Sequence, residues 1–197
     1  MALIAKSASI TALDSTPLVE VTSGEGISGW LKNVNDFATI LFTGSGIGDL
    51  YRFVRFPTTA KVKKVFLVIT SVSTAGAMDI GVGFSDSTVD GTPQSLATLA
   101  NPMVQLTGPA DNKLFGSAQA LTAAIITPPK EITFSGTAFP FLPVHQNLPL
   151  WQALVNLGAT QFTADPGGYF DIVGKATTAP TVTNTVASIE LDYVQGP

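Results

Sequence analysis

The longest unbroken run of strand-forming side chains in this sequence, Val65-Phe66-Leu67-Val68-Ile69, lies inside Lys61 to Ser71. A run of that length without alternation predicts a strand buried on both faces. After a short Gly76-containing turn, Met78 to Ser85 alternates apolar residues with small or acidic ones. That period of two predicts a half-exposed strand, paired with the first as a hairpin. Elsewhere 18 glycines and 13 prolines cut the apolar stretches short. The chain is 45% apolar and 12% charged, with 24 threonines and 14 serines. It is too apolar for disorder and too punctuated for a helical bundle. At 197 residues it has room for one ample domain.

Further strands are expected at Leu50 to Phe56, stopped by Pro57, at Leu121 to Thr127 and Glu131 to Ser135 around Pro128-Pro129, at Gly168 to Lys175, and at Thr185 to Val194. One helix of about eight residues is expected, capped by Asn147 with Pro149 in its first turn. Leu150, Leu154 and Leu157 share its face, and Gly158 ends it. Residues 1–45 read differently from 46–197. They hold a short strand at Leu18 to Val21, an apolar anchor at Trp30, and a short run from Phe37 to Phe42. We read 1–45 as an N-terminal arm with edge strands, and 46–197 as a body. The loop from Asp86 to Asp111 carries no motif. The fold class expected is all-β: a jelly-roll-like β-sandwich of about eight strands with one short helix and an extended N-terminal arm.

Composition also excludes chemistry. With no cysteine, disulfides, thiolate nucleophiles and cysteine metal sites are absent. A net charge of −4 argues against nucleic acid as a partner. No apolar run reaches the roughly 18 residues of a membrane-spanning helix. Met1 to Lys6 lacks the layout of a signal peptide, so a cytoplasmic origin is expected.

Each candidate for chemistry has a plainer structural reading. Gly44-Ser45-Gly46-Ile47-Gly48-Asp49 lacks the lysine and the following helix of a phosphate loop, and reads as a turn. Asp79, Asp86, Asp90 and Asp111 do not have calcium-loop spacing. Asp165-Pro166-Gly167-Gly168 is a turn signature. Glu20, Glu25, Glu131 and Glu190 sit on different elements, with nothing to bring two of them together as a glycosidase requires. The lone His145 has no visible nucleophile and reads as a packed or interfacial side chain. Trp30, Trp151 and Tyr169 make a weak case for a sugar platform. No catalytic residue, metal or cofactor is expected.

The basic residues carry more information. Arg52, Arg55, Lys61, Lys63 and Lys64 are five of ten Lys and Arg, packed into 13 positions. They form either a positive strip that steers toward an acidic partner, or a lysine-protected sheet edge.

YRFVRFP (51–57), the stretch TTAKVKKVFLVITSVSTAGAMDIGVGF (58–84), PLWQALVNLG (149–158) and TVASIELDYV (185–194) occur in this order. Their strand texture and order resemble the small head decoration, or cement, proteins of tailed bacteriophages, over roughly residues 50–85 and 148–194. The resemblance implies a virion protein on the outside of the capsid. It would be assembled in the host cytoplasm as a homotrimer that ties subunits of the major capsid protein together. A charge-poor, threonine-rich surface suits such burial. Trp30, Phe37, Arg52, Arg55, Lys63 and Lys64 are the expected contact residues. A receptor- or carbohydrate-binding module of a tail tip or fibre, another tail or neck component, and a hydrolase are the alternatives.

Overall fold

The computed structural model describes residues 4–6, 31–40, 47–71, 75–85, 104, 106, 113–122, 124–137, 139–178 and 185–195. The strands are β1 (Ile4–Lys6), β2 (Leu31–Ile40), β3 (Leu50–Pro57), β4 (Lys61–Ser71), β5 (Ala77–Phe84), β6 (Gly116–Ala120), β7 (Ile125–Glu131), β8 (Tyr169–Thr178) and β9 (Thr185–Val194). They form a five-stranded sheet in the order β1-β3-β8-β5-β6 and a four-stranded sheet in the order β2-β9-β4-β7.

From β2 onward, that order is the jelly roll. Consecutive strands change sheets at every connection except β5 to β6, which pair antiparallel within one sheet. The eight strands β2–β9 satisfy the expected fold class, and β1 is an addition, paired in parallel with β3 at the sheet edge. The expected β4–β5 hairpin is therefore corrected. The two strands lie in opposite sheets of the sandwich, and each has one antiparallel neighbour from late in the chain, β9 for β4 and β8 for β5.

The core lies between the sheets. Val62, Val65, Leu67 and Ile69 of β4 meet Ile189 and Leu191 of β9 on one side. Phe53 and Phe56 of β3, Ile80 and Val82 of β5, and Phe170 and Ile172 of β8 line the other. The burial expected for β4 and β5 is exchanged. In β4, Phe66 and Val68 turn outward and are half-buried, so this strand alternates despite its unbroken apolar run. In β5 every residue after Ala77 is buried, including Asp79, Gly81 and Gly83. Apolarity of the side chains did not fix which strand had both faces covered.

β7 runs through Pro128-Pro129, where two separate strands were expected. It lies at the edge of its sheet, where a missing N–H breaks no ladder. The helix α1 (Leu150–Asn156) is capped by Pro149, not Asn147, which closes a 3-10 helix, Pro143–Asn147. The Leu150 and Trp151 N–H groups donate to Ala60 and Thr58 carbonyls, fixing α1 over the β3–β4 turn. Gly158 ends the helix at φ +93°, a left-handed conformation that glycine adopts without a steric penalty. Among the described residues, no helix is long and apolar enough to cross a membrane. The strand expected at Leu18 to Val21 lies outside them.

Candidate functional site

The expected basic strip is divided by the fold. Arg52 and Arg55 are on β3 in one sheet, while Lys61, Lys63 and Lys64 are on β4 in the other. A β-bulge lies between the two arginines: three steps along β3, from Arg52 to Arg55, match two along β8, from Val173 to Asp171. The extra residue puts both arginines on one face, where strict alternation would have opposed them.

That face is closed off from solvent. Arg52 is 2% exposed, the Arg55 side chain 4% and Asp171 0%. The Arg52 guanidinium lies 2.5 Å from Asp171 Oδ2. Arg55 donates from Nε to Oδ1 at 2.9 Å and from Nη2 to Oδ2 at 3.3 Å. Arg52 also donates to the Phe84 carbonyl on β5, so its side chain spans three strands. Gly83 is in register with Asp171 on the neighbouring strand. Two guanidinium groups around one carboxylate are a structural clamp across β3, β8 and β5. The sequence carried one pointer to it, a charged residue set between Phe170 and Ile172 in the apolar first half of β8.

Lys63 is the extra residue of a second bulge, between Val62 and Lys64. Its Nζ donates to the Gln146 carbonyl at 2.7 Å, and Gln146 Nε2 donates back to the Lys63 carbonyl at 2.5 Å. This exchange ties the 3-10 helix to β4. Lys64 is exposed and lies 5.7 Å from the Phe66 ring centre, a cation–π distance. Phe37 lies on β2 with its Cα opposite Ser188. Trp30 is outside the described residues.

The remaining candidates have structural roles. Asp79 is buried, accepts the Ala118 N–H at 2.7 Å, and faces Lys113 Nζ at 3.7 Å. Asp86, Asp90 and Asp111 lie outside the described residues. Among those described, no three His, Asp or Glu side chains gather at a metal-binding distance. Asp165 accepts the Gly167 N–H and the Thr58 hydroxyl, as its turn signature implied. Ile47 and Gly48 form a turn, with Gly48 at φ +101°, while 44–46 lie outside the described residues.

Glu131 and Glu190 are brought together after all, in one cross-strand row on either side of Phe66. They are two strands apart, about 10 Å by sheet geometry, on an open face. Each is engaged: Glu131 accepts the Thr133 hydroxyl and Glu190 the Asn33 amide. A shallow cavity of about 250 Å³ lies elsewhere, lined by Phe84, Phe162, Thr163, Asp165 and Pro166. Trp151 is half-buried against the core.

His145 is buried beside Phe141, and its Nδ1 accepts the Leu142 N–H at 3.0 Å. Burial lowers its pKa below the ordinary 6.5. A neutral ring that accepts a backbone N–H is a structural part of the 3-10 helix.

The site is thus a set of structural clamps on a jelly-roll β-sandwich. Comparison with solved structures places this fold beside one described as the capsid of Ralstonia phage GP4. The TM-score is 0.50 at 14% identity, with 98% of this chain and 99% of that chain covered. At that identity the likeness is one of fold. No family model matches the chain, and no curated protein matches it significantly.

Proposed function

We propose that this chain is a non-enzymatic structural protein of a phage virion that decorates and cements the capsid. In this reading it forms a homotrimer and bridges subunits of the major capsid protein. One observation carries the reading: the jelly roll matches, end to end, a chain from a phage capsid structure. The charged groups the fold gathers support it as well, since Arg52, Arg55 and Asp171 are spent on holding strands together.

Residues 1–45 supply the arm and edge strands to a body of 46–197: β1 and β2 take sheet edges, β2 as a strand of the sandwich itself, and an edge is where pairing can extend to a neighbour. Trp30, Phe37, Lys63 and Lys64 remain the proposed contacts. Arg52 and Arg55 are enclosed by their own chain and serve its interior. Affinity comes from area and from repetition over symmetric sites.

Separating purified virions into heads and tails, with quantitative mass spectrometry of each, tests this. The chain is expected in heads, in a fixed ratio to the major capsid protein, and as a trimer in light scattering. Recovery in tails alone would move it to a tail or neck role, with receptor or sugar binding to be examined there. Absence from virions would end the proposal.

A further inference from the structure

Leu31, Phe134, Leu142 and Val144 are four of the six large apolar side chains exposed among the described residues. All four lie toward one end of the sandwich, the end of the β3–β4 turn, from Leu31 on the β2 edge to Phe134 beyond the β7 edge. Leu31 begins β2 opposite Val194, and Val194 pairs with Lys61 at the start of β4. Leu142 precedes, and Val144 lies within, the 3-10 helix that Gln146 ties to Lys63. The Phe134 ring stacks on Phe141, 6.4 Å away and nearly parallel, just beyond the point where Thr133 accepts the Val65 N–H. Val144 is 65% exposed and Leu31 63%, a large apolar display for a folded surface.

Among the described residues, lysines outnumber carboxylates at this end: Lys32, Lys61, Lys63 and Lys64 stand there with Asp192, in register with Lys64, and Asp165, bonded to Thr58 of the turn, while the chain as a whole carries a net charge of −4. The arginines that could read phosphate are buried, which disfavours a nucleic-acid partner. A second copy meeting this end with its own would bring lysine against lysine.

We infer that the β3–β4 turn end is the face that docks on the capsid shell, and that the shell presents it an apolar surface edged with carboxylates. This rests on the decoration reading above and adds to it an orientation and a partner chemistry.

The test is co-sedimentation of the full-length protein with empty shells assembled from the major capsid protein of the same virion. Val144→Glu and the pair Lys61→Glu with Lys64→Glu probe the apolar and charged parts separately. Should Val144→Glu fail to fold, the lysine pair decides. Ile47→Glu, 73% exposed and before β3 at the opposite end, is the control. Each end variant is expected to bind at least tenfold more weakly, with the control unchanged and wild-type binding weakened by salt. Wild-type binding that both end variants retain, or that only Ile47→Glu loses, overturns the inference and leaves the decoration reading standing. Val144→Glu dissolving the trimer while shell affinity holds overturns it too, making this end a self-contact. No wild-type binding overturns both.

Discussion

Asp171 on β8 receives Arg55 through both carboxylate oxygens, at 2.9 and 3.3 Å, in a site sealed from water. With Arg52 at 2.5 Å on the same carboxylate, removing Asp171 takes a shared counter-charge from two buried guanidinium groups. Breaking a buried pair on one side costs about 3–5 kcal/mol. Asp171→Ala is therefore expected to lower unfolding free energy by about that much in urea titration. A loss below about 1 kcal/mol, the scale of exposed ion pairs, would contradict the clamp.

His145 gives a pH dependence with a definite sign. Its folded pKa lies below the ordinary 6.5, because burial disfavours the charged ring. The unfolded chain then binds the proton more readily, so this contribution is complete above 6.5 and is lost as pH falls through the folded value. His145→Gln keeps an acceptor for the Leu142 N–H without titrating. Denaturation midpoints measured from pH 8 to 5 should fall more steeply for the wild type than for this variant. Parallel curves would show that the ring does not titrate with unfolding.

Two glycines should respond differently to alanine. A Cβ on Gly136 would run into the carbonyl oxygens of Lys113 and Leu114, beside the bridge from Gly116 to Ser135. Gly136→Ala is expected to cost at least the 1–3 kcal/mol of an overpacked site. Gly48 has open space around it but a φ of +101°, so Gly48→Ala meets only backbone strain, about 1–2 kcal/mol. Equal midpoints for wild type and Gly136→Ala would contradict the close approach.

Ala118, at φ 45°, is the one non-glycine residue with positive φ among the described residues. Its N–H donates to buried Asp79, which holds the irregular pairing of β5 with β6. Ala118→Gly relieves the strain and loses some of that gain to a freer unfolded chain. The expected net is a stabilisation of up to about 1 kcal/mol. Asp79→Ala should destabilise, because it leaves that amide without its carboxylate partner. Calorimetric melting of both variants checks the opposite signs.

β3, β4, β5, β8 and β9 were legible, because aromatic and β-branched runs ended at breakers such as Pro57; β6 (Gly116–Ala120), small and polar, was not. Nor was strand partnership. β4 and β5 are close in sequence, yet they lie in different sheets, and the central neighbour of each, β9 for β4 and β8 for β5, comes from the C-terminal part of the chain; local pattern carries no information about that choice. The meaning of Arg52 and Arg55 was hidden for a related reason. Three residues apart, they share a face only because β3 bulges, and their counter-charge is 116 positions downstream. Pro128-Pro129 read as a break because strand interiors exclude proline, and the edge position of β7 lifts that exclusion. The docking end was half visible: its lysines stood out in sequence, but only the fold gathers Leu31, Phe134 and Val144 beside them.

A cryo-electron microscopy reconstruction of the intact virion tests the central proposal most directly. The account predicts copies of this jelly roll on the outer surface of the head, clustered in threes across junctions of the major capsid protein, with the β3–β4 turn toward the shell. A head surface free of this chain, or its density confined to the tail, would contradict it.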